Sequence, residues 1–401
     1  MNFHLRNFSN LIIIWAPDDY NALALMRQVG QKFNNIFFLI HGNVGYAAKS
    51  KYCKKYKETD CVPAGFEYLL NNFKDQTSKP VILTSSDGII TYIDKNKLSL
   101  EGRYILSGTL KQGNLEKYID KYNMTCLAEN IGIDVPKSKF VKWDTSISDV
   151  EYPCFIKPSH QKEGHYNEFK FKYCKDKHAL KHALSLVRHD SVFIVQQFIK
   201  KEKDLLIYGC RTKQGEVIIA GNLITERFAT GNGSSYGIIK KEIHQSIDVN
   251  KVRYFLDTID YVGLFSFEYG LCDDIAYFFE VNLRNDGTSH MFFQAGANIP
   301  LAFVMSCYDM DYSNVRTVVT NECYYMDEIF DISNVVQGNV SLSDWKRQKK
   351  QVKAFKFYDE EDMQPYLIAQ KKRWIKIFRD IIIKKFRLYI VFVLDKLGLT
   401  K

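Results

Sequence analysis

GLFSFEYGL (263–271) and AYFFEVNLR (276–284) are two runs dense in aromatic and aliphatic residues, separated by Cys272, Asp273, Asp274 and Ile275. They predict two antiparallel strands of a hairpin that turns at Asp273 and Asp274. Glu268 and Glu280 stand twelve residues apart, and pairing across a tight turn sets their carboxylates side by side. Strand alternation places Asn282 and Arg284 on the face of Glu280. Two carboxylates and an amide oxygen form a hard-oxygen set suited to Mg2+, which takes few protein ligands and completes its shell with water and substrate phosphates. Arg284, just beyond, would meet the negative charge that develops in phosphoryl transfer. The alternative is a solvent-facing polar stripe. Against it, like charges placed across strands repel unless something positive lies between them.

Working outward, DLLIYGC (204–210) and GEVIIAGNLI (215–224) flank RTKQ as a second hairpin, and residues 249–260 have the pattern of a helix. YPCFIKP (152–158) and SVFIVQQFI (191–199) read as short buried strands with a helix around 175–188 between them. LEKYIDKYNMTCLAENIGIDVP (115–136) reads as one helix ending near Gly132, with Pro136 beyond. Earlier, NLIIIWAP (10–17), a helix-compatible stretch to Phe33, and NIFFLIHG (35–42) give strand, helix, strand with short connections, hence a parallel layer. PVILTSSDGII (80–90) and GRYILSG (102–108) would extend it. No GxGxxG follows the first strand, so this Rossmann-like layer reads as a platform and not as an NAD site. The expected fold class is α/β followed by α+β: a Rossmann-like domain over 1–114, an α+β body over 115–305, an extension over 306–370 and a helical tail over 371–401.

A chain of 401 residues, 46% hydrophobic and 25% charged, has the composition of a globular protein with a large core. Its nine scattered cysteines include no CxxC pair. They suggest neither a disulfide framework nor structural zinc, and they fit a reducing cytoplasm. The apolar run Leu11–Ala16 meets Pro17, Asp18 and Asp19, too early for a signal peptide or membrane span. The net charge of +9 is local: residues 371–401 hold ten Lys or Arg against two Asp, leaving 45 basic and 44 acidic residues elsewhere. A groove for nucleic acid is therefore not expected. His178 and His182 have half-site spacing for a metal, but lysines surround them and no third ligand is evident, so a solvated helix face is the reading. In the tail, a helix would group Trp374, Phe378, Ile381, Ile382, Phe386 and Tyr389 opposite Lys372, Lys376, Arg379, Lys384 and Arg387, with Lys385 breaking the apolar face. That pattern suits an anionic membrane surface. The other readings for it are the chain's own core or a second subunit, as in a homodimer. The apolar run Leu388–Leu394 is too short to cross a bilayer.

Four of these segments, in their order along the chain, resemble the ATP-grasp superfamily. FSFEY (265–269) and YFFEVNLR (277–284) are similar to its metal-binding strands, with the spacing of the biotin carboxylase branch. Residues 120–136 resemble the entry helix, YPCFIKP the strand whose lysine holds the ATP phosphates, and SVFIVQQFI the join between two subdomains, whose backbone clasps adenine. The resemblance implies a pre-ATP-grasp domain, a two-subdomain ATP-grasp fold hinged near 196–200, and ATP and Mg2+ as cofactors. By the same resemblance, Lys121 and Lys157 neutralise phosphates, Gln197 and Ile199 offer backbone groups to adenine, and Asp204, or alternatively Glu202, takes the ribose hydroxyls. Glu268, Glu280 and Asn282 hold the metal, and Arg284 is the catalytic arginine that steadies the transferring phosphoryl group. In ITERFATGNGSSYG (224–237), Arg227 pairs with a substrate carboxylate, and glycines 231 and 233 let the loop approach closely. One departure stands out: SHQKEGHYNEFKF (159–171), where the family's loop is glycine-rich, holds only Gly164, and His160 or Lys162 would add charge there. Residues 338–367 resemble, more loosely, the C-terminal module of ligases similar to D-aspartate ligases and to enzymes that amidate cell-surface polymers.

The function implied is a ligase that activates a small-molecule carboxylate as an acyl phosphate for attack by an amine, in cell-wall or capsular polysaccharide synthesis near the inner membrane face. The alternative is a non-catalytic nucleotide-binding or scaffold protein at the membrane surface.

Overall fold

The structure is a computed structural model that describes residues 8–74, 76–142, 149–158, 169, 171–186, 192–229, 233–376, 378 and 379. Strands β1 (Phe8–Ala16), β2 (Phe33–His41), β3 (Lys55–Thr59), β4 (Val81–Leu83) and β5 (Ile105–Leu106) form a parallel sheet in the order β3-β2-β1-β4-β5. Both faces are covered, which explains the unbroken apolar run in β1. Ile12, Ile14 and Ala16 pack against the helix Tyr20–Val29, while Leu11, Ile13 and Trp15 pack against the helices Val62–Asn71 and Asp87–Lys95. PVILTSSDGII supplies only β4 as strand. Ser86 accepts the Ile89 N–H and caps the helix that Asp87 opens, a local alternative that the backbone prefers to more strand.

A short strand, β6 (Gly108–Thr109), pairs with the large sheet described below. The small sheet is antiparallel: β7 (Ser138–Lys142), β8 (Cys154–Pro158), β9 (Lys172–Cys174) and β10 (Val192–Gln197), in the order β7-β10-β8-β9. It has its own core, where Cys154, Ile156, Cys174, Phe193 and Val195 meet Leu180 and Ala183 of the helix Lys177–Ser185. Alternation along β8 therefore sends Phe155 and Lys157 to the opposite face. His178 and His182 are exposed on that helix.

The large sheet comprises β11 (Lys203–Arg211), β12 (Val217–Phe228), β13 (Ser234–Lys240), β14 (Tyr261–Cys272), β15 (Ile275–Asn282), β16 (Cys323–Met326) and β17 (Val352–Phe355), in the order β15-β14-β11-β12-β13-β16-β17. The C-terminal strands β16 and β17 thus continue the body's own sheet. Phe265, Phe267, Phe278 and Val281 bury one face of the hairpin against Val252, Phe255 and Leu256 of the helix Val249–Thr258. The segment expected as one helix is two, Leu115–Ile119 and Lys121–Asn130. Asp120 is extended between them, and its carboxylate accepts the Tyr122 and Asn123 amides. This cap places Lys121 at the start of a helix whose Met124 and Ala128 pack in the same core as Val281.

Candidate active site

Asp273 and Asp274 both have positive φ, 49° and 59°, as a two-residue type I′ hairpin turn requires. This turn sets Cys272 opposite Ile275 and Tyr269 opposite Phe278. Continued unbroken, the register would place Glu268 opposite Phe279 and send Glu280 to the other face. Instead the register shifts between Glu268 and Tyr269, and Glu268 pairs directly with Glu280. The extra residue is Phe279, so Phe279 and Glu280 are both half-buried while Phe278 and Val281 sink into the core. The expected turn exists, but a β-bulge is what brings the two carboxylates together.

Between the small and large sheets lies a cavity of about 870 Å3. It is lined by Asp87 and Gly88 from the parallel layer, Lys121, Phe155, Lys157 and Phe171, the connector Gln196–Lys201, and Phe279. Lys121 Nζ donates to Glu280 Oε2 at 2.6 Å, and Lys157 Nζ donates to Gln196 Oε1 at 3.0 Å. Burial pulls the Lys157 ammonium down to about 8, with Lys121 adding to the effect. Glu268 accepts a side-chain hydrogen bond from Asn282 Nδ2 at 2.9 Å. Burial, and then the charge of Glu280, push its carboxyl up to about 8. Burial acts on Glu280 in the same direction, but Lys121, followed by Lys157 and Arg284, outweighs it and holds that carboxyl below its usual range.

Arg284 is clamped from the parallel layer. Its Nε and Nη2 donate to the two oxygens of Asp87 at 3.0 and 3.2 Å, and Nη2 also donates to Asn282 Oδ1 at 2.9 Å. In the connector, the Gln197 amide donates to Lys137 O and the Phe198 amide to Pro153 O. The Gln197 carbonyl and the Ile199 N–H carry no such cross-link among the described residues. Phe155 packs edge-on against Phe171 and Phe198, with centroids 5.6 and 5.4 Å away, an apolar wall of the kind that holds a planar base.

The donor set fits Mg2+. Among the described residues no cluster of three or more His, Cys, Asp or Glu side chains forms a metal cage; the hairpin offers two carboxylates and an amide, few enough to leave room for phosphate and water oxygens. Glu268, half-buried opposite a second carboxylate and with no basic hydrogen-bond partner among the described residues, is an acid that a cation would relieve. Asn282 presents its NH2 to Glu268 and to Ser266 Oγ, and its oxygen to Arg284. To join the ligand set it would turn that oxygen toward the carboxylates.

No family model matches the sequence, and no curated protein does. Solved structures do match. The N5-carboxyaminoimidazole ribonucleotide synthetase purK in complex with ADP aligns at a TM-score of 0.65 and 14% identity over 83% of this chain and 86% of that one. The Staphylococcus aureus N5-carboxyaminoimidazole synthetase with ADP gives 0.66 and 12% over 84% and 87%. An L-amino acid ligase from Bacillus licheniformis gives 0.59 and 15% over 80% and 79%. The chain has the ATP-grasp fold. At these identities the likeness is one of fold.

Within the ATP-grasp fold, Lys121, Lys157, Gln197 and Ile199 line one cavity, with Glu268, Glu280, Asn282 and Arg284 linked in a chain of contacts beside it. Asp204 is one step removed: Oδ2 holds Lys201 Nζ at 2.6 Å, while Oδ1 is buried without a partner among the described residues. Glu202 accepts the Asp273 amide at 3.2 Å. Arg227 does not line the cavity. Its Nε and Nη2 grip the two oxygens of the fully buried Asp331 at 2.9 and 2.6 Å, Nη1 donates to Gln348 at 2.9 Å, and the guanidinium lies 4.7 Å from the Tyr236 ring. It ties β12 to the C-terminal module, so a bound carboxylate would have to compete with Asp331. Gly231, His160, Lys162 and Gly164 lie outside the described residues. Sequence reasoning missed Asp87, Gln196 and the aromatic lining. Only Asp87 had a local signal, as the acid after a Ser cap at a strand's end.

Proposed function

We propose that the chain is an ATP- and Mg2+-dependent ligase that activates a substrate carboxylate as an acyl phosphate for attack by an amine. The observation that carries this reading is the facing of Glu268 and Glu280 beside a cavity lined by Lys121 and Lys157. ATP would supply the phosphoryl group, and Mg2+ would neutralise charge on its oxygens. The residues then have separable tasks. Lys157 and Lys121 meet phosphate charge in a poorly solvated cleft, the Gln197 carbonyl and Ile199 N–H match the donor and acceptor edge of adenine, and Glu268, Glu280 and Asn282 hold the cation. Arg284, pre-aimed by Asp87, meets negative charge on the transferring group. None of these tasks needs a side-chain nucleophile, as expected where positioning and charge neutralisation dominate. ADP in the synthetase structures supports a nucleotide in the same fold.

The test is incubation with Mg-ATP and a panel of amino acids and amines, measuring ADP and phosphate, with hydroxylamine added to trap an acyl phosphate as a hydroxamate. Turnover with trapping is expected. Nucleotide binding without ADP across the panel would favour the non-catalytic alternative, and undiminished turnover in Glu268→Ala/Glu280→Ala would sink the site assignment. The narrower reading, an amino acid joined to a cell-wall or capsular precursor, rests on the resemblance of residues 338–367 alone, and those precursors belong in the acceptor panel.

A further inference from the structure

The last described helix, residues 363–376, leaves the body part-way along its length. Ala369 is buried with Ile329 and Phe357, and the Arg373 guanidinium lies 5.2 Å from the Phe330 ring. Beyond Gln370 every other described residue is exposed. That stretch exposes large apolar side chains: Trp374 is 45%, Ile375 58% and Phe378 61% accessible. The Trp374 and Phe378 rings touch, with centroids 6.2 Å apart, as side chains four apart on one helical face do. Leu367, 46% accessible, shares that face by spacing. Lys372 and Lys376 stand on the opposite face; Lys371 interrupts the apolar one, where its long stem can lie along the rings with the ammonium in water. Among the described residues nothing buries the aromatic pair. In sequence the same spacing runs on through Ile381, Ile382, Phe386 and Tyr389, within the segment that carries ten basic and two acidic residues. Among the described residues no helix is long and apolar enough to cross a membrane.

We propose that the helix beginning at residue 363 is a surface anchor that lays Trp374, Ile375 and Phe378 into the interface of an anionic phospholipid bilayer, with its lysines and arginines over the headgroups. Charge selects this occupant: a strongly cationic segment repels a second copy of itself and is drawn to anionic lipid. The inference does not depend on the ligase reading, because the helix shares no residue with the cavity.

The full chain should co-sediment with phosphatidylglycerol/phosphatidylcholine vesicles in 0.1 M salt, much less in 0.5 M salt, and weakly with phosphatidylcholine alone. Trp374→Ser/Phe378→Ser should lower partitioning about tenfold or more. Lys372→Glu/Lys376→Glu should lower it at least about 25-fold, at about fivefold per basic residue lost. Both variants should keep the wild-type melting temperature. Equal binding to both vesicle types, no binding in 0.1 M salt, or unchanged partitioning of both variants overturns the proposal. So does a lipid-free dimer that the Trp374/Phe378 variant abolishes, since a second copy would then cover the face. A chain that binds vesicles yet shows no thermal response to Mg-ATP refutes the ligase reading and leaves this one standing.

Discussion

Replacing Glu268 by Gln should stabilise the metal-free protein at pH 8 and leave it almost unchanged at pH 5. Burial and the facing Glu280 push the Glu268 carboxyl up from 4.5 to about 8. A group raised in this way keeps its proton in the folded state where the unfolded chain has already lost it, so stability falls as pH rises from about 4.5 to about 8 and then levels off. A full shift of that size is worth about 5 kcal/mol, and water reaching the cleft reduces it to a few kcal/mol. Gln is neutral and of the same shape, and its oxygen can still accept the Asn282 amide, so the variant escapes this loss. Thermal unfolding in EDTA across pH 5 to 8 should show the two melting curves diverging by several degrees. Mg-nucleotide should reverse the order, because the cation binds the ionised carboxylate and displaces its proton. The ionised fraction rises from about 1% at pH 6 to about half at pH 8, so wild-type Mg2+ affinity should rise about fiftyfold over that interval, with proton release seen by calorimetry. Melting temperatures of the two proteins that track one another from pH 5 to 8, or Mg2+ affinity flat over the same range, would refute the reasoning.

Lys157, pulled down to about 8, loses its charge as pH rises past that value, so nucleotide affinity should weaken on the alkaline side; Lys157→Met should bind nucleotide more weakly and lose that limb in a fluorescence titration. Asp87→Asn frees the Arg284 fork from its bidentate partner. It should lower kcat about tenfold to a hundredfold with little change in nucleotide Kd, and an equal loss in both would mean that Asp87 touches the nucleotide itself. Arg227→Ala leaves the buried Asp331 without its counter-ion, a cost of at most about 3–5 kcal/mol because Ser235, Asn334 and Trp345 still donate to its carboxylate, seen as a lowered melting temperature. Lys at that position should not restore it, since an ammonium cannot bridge both oxygens, and nucleotide affinity of the folded fraction should be unchanged.

The hairpin was legible because its two strands are short, adjacent and joined by two residues that tolerate positive φ. The bulge within it was legible in principle. A two-residue turn pairs positions an odd number apart, and the spacing of Glu268 and Glu280 is even, so their facing demands one inserted residue. The doublet Phe278-Phe279, which breaks alternation, is its trace. The parallel layer followed from apolar runs buried on both faces. What was not legible is long-range. Arg227 looked available because its partner, Asp331, lies 104 residues on in a module whose strands join the same sheet. Asp87 looked like part of a strand because the Ser86 cap competes with strand only once β4 has ended. A side chain's charge can be read from the sequence; the opposite charge that already occupies it is set by tertiary packing.

Those occupied charges also separate a ligand site from a polar stripe. In the Arg227–Asp331 contact each ion has its counter-ion within hydrogen-bond reach, and burial is compensated on the spot. Beside the cavity the matching is incomplete. Lys121 satisfies Glu280 and Asp87 satisfies Arg284, while Lys157 faces a neutral amide and Glu268 faces another acid. One half-buried cation is therefore pulled down and one half-buried anion pushed up. An anion beside Lys157 together with a divalent cation between the glutamates resolves both defects at once. A polyphosphate chelated to a metal is the ligand that carries these two charges in one body.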